Sequence, residues 1–158
     1  MPQLFGSWFQ LTRRCPLSVM EDITNAIAAG ENTHKGEVCF AIESRLAPLA
    51  VLEGLDPSSR ARQVFAQLRV WDTECNSGVL FYVLLAERRI EIVVDRGIAA
   101  KVVTTEWDDI SVLIRDAYAA DRWREGSLQV IAAAHALLLR HFPGNDKQVS
   151  DELPTRPV

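Results

Sequence analysis

Asp72, Asn76, Asp95 and Glu37 are residue types that suit one chemistry in common. Their carboxylate and amide oxygens, joined by backbone carbonyls from the loops around Gly78 and Gly97, are the ligands that hard divalent cations prefer, Ca²⁺ above all and Mg²⁺ as the alternative. The competing reading is structural. Asp and Asn favour turns through local hydrogen bonds, so Asp72, Asn76 and Asp95 could be ordinary loop residues and Glu37 a solvated strand-end charge.

A cation site requires the fold to gather these residues, and the sequence supplies a topology that would do so. In residues 36–44, Val38, Phe40 and Ile42 alternate with Glu37, Cys39, Ala41 and Glu43, as a strand does. Asp56 before Pro57 is a capping acid ahead of a first-turn proline, and Ala61, Val64, Phe65, Leu68 and Trp71 then keep helical spacing, which predicts a helix over 57–71. From Gly78 the run VLFYVLLA is apolar on both faces, as in a central strand. Ile90, Ile92 and Val94 alternate with Arg89, Glu91 and Val93, as in a hairpin partner nearer the edge. Strand, crossover helix and strand normally run parallel. Glu37, with His34 before it, and Asp72 and Asn76 ahead of the second strand should therefore share one sheet end with Asp95 after the third.

Helices complete the architecture. Ser18 and Glu21 have capping-box spacing before Met20, Ile23 and Ile27, and Thr105 with Asp108 repeats that spacing before Trp107, Ile110, Leu113, Ile114, Ala117 and Tyr118. A last helix should end near His141, before Pro143 and Gly144. The element order predicts an α/β fold, a three-layer α/β/α sandwich with a small mixed sheet flanked by helices. Residues 1–15 read as an N-terminal segment, 16–143 as the domain and 144–158 as a polar flexible tail. Leu4, Phe5, Trp8, Phe9 and Leu11 would line one flank of a short helix.

Composition narrows the function classes. The net charge of -4 gives no global attraction to nucleic acid, which is set aside as a partner. Cys15, Cys39 and Cys75 are odd in number and form no CxxC pair, so they read as reduced thiols. The most apolar stretch, 128–139, is far short of the ~20 residues that span a bilayer. Arg13 and Arg14 follow the apolar N-terminal residues, the reverse of a secretory signal, and the expected location is the cytoplasm. Cys39 and Arg45 have the bare spacing of a cysteine-phosphatase loop. The intervening FAIES reads as a strand, however, and would put Glu43 where an anion binds. His135 lies in an apolar helical run and His141 near its end, so both read as core or capping residues.

The segments HKGEVCFAIES (34–44), RARQVFAQLRVWDT (60–73), NSGVLFYVLLAERRIEIVVDRGI (76–98) and LLLRHFP (137–143) resemble the TPM-domain family, with the likeness spanning roughly residues 16–143. The sequence is especially similar to short bacterial members. The resemblance implies an α/β/α sandwich, a divalent-cation site and a phosphatase label. Asn76 and Gly78 match the polar residue and glycine that open the family's central strand, and Asp95 with Gly97 matches its DRG turn. Glu37 matches the HxGE opening and Trp107 a tryptophan after the turn, which reads as structural. Ala119 and Asp121 depart from the Arg and Gly common in relatives; if that Arg touches an anion, its loss argues against phosphate binding.

Two functions follow. The first is a divalent-cation-binding interaction or accessory module, working with a membrane-associated protein and peripheral to the inner membrane, since relatives are often membrane-tethered. The second is a metal-dependent phosphomonoesterase, in which the ion polarises a phosphoryl oxygen and Asp95 positions water or donates a proton. The module ranks first because Arg96 is the only cation adjacent to the expected rim in sequence, whereas phosphoryl transfer recruits a positive clamp.

Overall fold

The computed structural model of the chain describes residues 8–9 by their backbone, together with 17–70 and 77–144. Its middle is β3 (Gly78–Leu84), buried at every position. A strand with β-branched and aromatic residues on both faces needs cover on both. β2 (Glu37–Glu43) pairs with it in parallel, Glu37 opposite Gly78, and β4 (Arg89–Val94) pairs antiparallel, Val94 opposite Val79. With β1 (Trp8–Phe9) beside β2, the order is β1-β2-β3-β4.

One sheet face presents Val38, Phe40, Ile42, Val79, Phe81 and Val83 to α1 (Leu17–Glu31), α5 (Thr104–Ala119) and α6 (Trp123–His141). The other presents Cys39, Ala41, Leu80, Tyr82 and Leu84 to α3 (Pro57–Gln67). Each fully buried Phe, Leu or Ile stabilises by about 1.5–3 kcal/mol, so the face under three helices carries most of the packing energy. Two short helices, α2 (Pro48–Leu52) and α4 (Arg96–Lys101), fill the connections after β2 and β4. The three-layer α/β/α architecture is the one expected, and β3 is central with β4 at the edge as read.

Several local expectations are corrected. Asp56 does cap α3, accepting the Ser59 N–H at 2.7 Å, but that helix ends at Gln67, and Arg69 then takes a left-handed φ of 56°. Neither capping box is present. Ser18 lies inside α1, and α5 is entered from Val103 with no side-chain cap. Trp8 and Phe9 belong to a parallel strand, not to a helical flank. The supposed polar face of residues 36–44 is buried beyond Glu37, because α3 covers it. The 144–158 tail, apart from Gly144, lies outside the described residues.

Candidate functional site

Parallel pairing of β2 with β3 and antiparallel return through β4 bring three backbone positions to one rim. The Glu37 N–H donates to the Ser77 carbonyl at 3.0 Å, and the Asp95 N–H donates to the Gly78 carbonyl at 2.9 Å. Glu37 and Asp95 therefore flank Gly78, as the topology argument required. Glu37 is exposed, whereas Asp95 is 8% exposed. Asp95 also caps α4: its Oδ1 accepts the Arg96 N–H at 2.7 Å, and its carbonyl accepts from Ile98 and Ala99. Its Oδ2 is buried with no hydrogen-bond partner among the described residues. A carboxylate oxygen in that state is costly, and natural structures almost always supply it with a donor, a water or an ion.

Asp72 and Asn76 lie outside the described residues, but the chain on either side of them is fixed at this rim. A Cβ on Gly78 would stand 2.0 Å from the Val70 carbonyl oxygen, an approach only glycine permits. Ser77 is buried, and its hydroxyl donates to the Lys35 carbonyl at 3.1 Å. Val70 and Ser77 are thus both held next to Gly78, beside Asp95. Among the described residues no cluster of His, Cys, Asp or Glu is large enough to hold a metal ion by itself. A buried carboxylate oxygen without a donor among the described residues is the donor type that hard cations take.

Cations near the rim were undercounted from sequence. Lys35, Lys101 and His141 line, with Gly97 and Phe142, a cavity of about 460 Å³ beside α4, and the Lys101 ammonium sits 4.8 Å from the Phe142 ring centroid. The Arg and Gly positions of relatives are elsewhere. Asp121 has a left-handed φ of 58°, which explains a glycine preference, and it pairs with Arg88 in the β3–β4 turn at the opposite sheet end. An arginine at 119 would not face Asp95, so the departure there says nothing about anion binding at this rim.

The remaining candidates are structural. Burial, with the negative charges of Glu37 and Glu31, pushes the Cys39 thiol far up, which makes it an inert core residue and not a nucleophile. Trp107 packs edge-on against Phe81 at 6.3 Å. His34 does not turn to the rim: its Nε2 meets His135 Nδ1 at 2.7 Å, while His135 Nε2 lies 3.1 Å from the Ala26 carbonyl. The carbonyl can only accept, so His135 carries its proton on Nε2 and His34 donates from its own Nε2. Burial lowers the His135 pKa.

Sequence reasoning missed a second charged cluster at the other end of the sheet. Glu43, 6% exposed, accepts Arg60 Nε at 2.8 Å, Arg60 Nη2 at 3.0 Å and the Tyr82 hydroxyl at 2.5 Å. Burial and the bond to Glu43 hold the Tyr82 hydroxyl protonated. The signal was Glu43 in phase with Cys39 and Ala41 on what is a buried face. Glu43 and Arg60 also line a cavity of about 490 Å³ with Leu46, Ala50, Leu55 and Gln63.

The fold is an α/β/α sandwich with a buried carboxylate at one end of its sheet, one oxygen of which has no partner among the described residues. The TPM domain profile matches residues 18–137, and the chain belongs to that family. Among solved structures it is similar to the BA42 protein of the psychrophilic bacterium Bizionia argentinensis, at 26% identity and TM-score 0.71 over 80% of this chain and 82% of that one. It also shares its fold with the N-terminal domain of a P. gingivalis protein, at 13% identity and TM-score 0.69 over 89% of this chain and 86% of the other. The N-terminal domain of cg2496 from Corynebacterium glutamicum shares it too, at 13% and 0.59 over 84% and 79%. None of the curated proteins matches the chain.

Proposed function

We propose that this TPM domain is a divalent-cation-binding module, taking Ca²⁺ in preference to Mg²⁺ through Asp95, Asn76, Asp72 and Glu37, and serving as an accessory protein to a membrane-associated assembly. The observation that supports the cation is the buried Asp95 Oδ2 without a partner among the described residues. No described helix is long and apolar enough to cross a membrane, so the association would run through a partner. Leu49, Val51 and Leu52, all exposed on α2, offer apolar contact area for one.

A cation that binds only the folded state raises stability by RT ln(1 + [L]/Kd), about 2.7 kcal/mol at a hundredfold excess over Kd. Melting temperature should rise as Ca²⁺ is titrated, and the rise should shrink in Asp95→Asn but persist in Glu21→Gln, an exposed control on α1. No shift at millimolar Ca²⁺, Mg²⁺ or Mn²⁺ would overturn the reading.

The second reading is a metal-dependent phosphomonoesterase, favoured by the cavity that Lys35, Lys101 and His141 line beside Gly97. Lys35 and Lys101 would offset charge developing on a phosphoryl group. Hydrolysis of a generic phosphomonoester that Asp95→Asn abolishes in a folded protein would put this reading first; a calcium-induced shift with no hydrolysis above background would retain the module.

A further inference from the structure

β4 is the edge strand of the sheet, and among the described residues nothing pairs with its outer side. Because the Asp95 N–H points at β3, antiparallel alternation turns the N–H and C=O groups of Val94, Ile92 and Ile90 outward. The side chains of these same residues are half-buried against α5, the helix nearest this edge. Between strand edge and helix runs an open groove of about 430 Å³, lined by Ile92, Val94, Trp107, Val112, Asp108 and Arg115. Its two ends differ in charge. Arg115 shares a hollow with Arg88, Arg89 and Ile90 at the turn end of β4. Asp108 lies seven residues earlier on α5, about 10 Å back along the axis, towards Val94.

The outer stripe of α5 therefore reads anion, apolar, cation: Asp108, Val112 and Arg115 at i, i+4 and i+7. Asp108 and Arg115 are exposed and make no ion pair among the described residues, and Val112 is 49% exposed. Such a stripe is self-complementary when antiparallel. A second copy turned by a twofold axis sets its Arg115 against Asp108, its Val112 against Val112 and its Asp108 against Arg115. The same axis passes between two β4 edges at Ile92, so that Ile90 and Val94 of one copy pair with Val94 and Ile90 of the other. We propose that β4 and α5 form an isologous interface with a second copy of this chain, joining two four-stranded sheets into one continuous sheet. A heterologous peptide would satisfy the strand edge equally well, but a second copy answers both ends of the α5 charge stripe by its own sequence.

Sedimentation of the full chain across a concentration series tests this, with reversal of each charge. Asp108→Arg and Arg115→Asp should each weaken dimerisation tenfold or more by placing like charges together at both ends of the stripe. An equimolar mixture of the two variants should form heterodimers, and the double variant should recover homodimers. Both positions are exposed, so folding should survive, as circular dichroism would verify. Ile92→Lys should abolish pairing by putting a charge at the twofold centre. A wild-type chain that stays monomeric up to about 1 mM, the weak end of the affinity range, overturns the proposal. So does a dimer indifferent to the charge reversals and to Ile92→Lys.

Discussion

Glu43 and Asp95 are both buried carboxylates, yet they stand at opposite ends of one sheet in opposite conditions. Both oxygens of Glu43 are engaged: a bidentate guanidinium and a phenol donate to them. Asp95 spends one oxygen on a helix cap and keeps the other without a donor among the described residues. The first arrangement fixes α3 to the end of β2 and leaves neither oxygen without a donor. The second leaves one buried oxygen without a donor among the described residues, at the rim where Gly78 meets Val70. Burial alone does not distinguish a structural acid from a binding one; the count of satisfied lone pairs does.

The sharpest way to break that contrast is to remove Arg60. Arg60→Ala leaves the Glu43 charge buried with only the Tyr82 hydroxyl as a partner, and should cost about 3–5 kcal/mol in urea unfolding. Converting the pair to apolar residues, Glu43→Leu with Arg60→Met, should recover most of that loss; a double variant as unstable as Arg60→Ala would mean the cluster does more than neutralise itself. Gly78→Ala tests the other end, where a methyl group would meet the Val70 carbonyl. Overpacking of this kind should cost about 1–3 kcal/mol, and it should also weaken any calcium-induced stabilisation by displacing the chain that leads to Asp72. In the absence of cations Asp95→Asn should change stability by less than about 1 kcal/mol, because asparagine retains an acceptor for the α4 cap while shedding an unsatisfied charge. A large loss there would make Asp95 a structural acid like Glu43.

The smallest expected effect concerns pH. Burial lowers the His135 pKa below its ordinary 6.5, so the unfolded chain takes up a proton that the folded chain refuses. Stability linked to this group is present above pH 6.5 and declines as pH falls through 6.5 towards the lower folded value. His135→Gln should flatten this part of the profile, read as the urea midpoint at pH 7.5 and 5.5. An unchanged slope would assign the acid sensitivity to other groups.

Sequence pattern served well where the cause is local or repeats along a strand. Asp56 and Pro57 mark the start of α3 because capping acid and first-turn proline act within three residues. The unbroken apolar run after Gly78 placed β3 in the centre, and with it the convergence of Glu37 and Asp95. Pattern failed where the cause is distant or brief. α2 and α4 are too short to show a period, and β1 exists only through pairing with Ala41 and Ile42 far along the chain. Ser18 and Thr105 had the spacing of caps, but both helices begin one residue earlier, at Leu17 and Thr104. The Glu43–Arg60 pair needs α3 to fold back over β2, so alternation alone placed Glu43 on a strand face without supplying its partner.

The end of α6 is tied by backbone to the turn before β2. Lys35 N–H donates to the Phe142 carbonyl at 2.9 Å, Gly144 N–H to the Thr33 carbonyl at 3.3 Å, and His34 forms a bridge with Pro143. For a nascent chain this clasp makes the last helix a latch. α1 and the sheet leave the ribosome with one apolar face uncovered, and α6, 19 residues long, takes about one to four seconds to synthesise at ordinary elongation rates. Until Phe142 has been made the clasp cannot close, and that sheet face lacks one of its three covering helices.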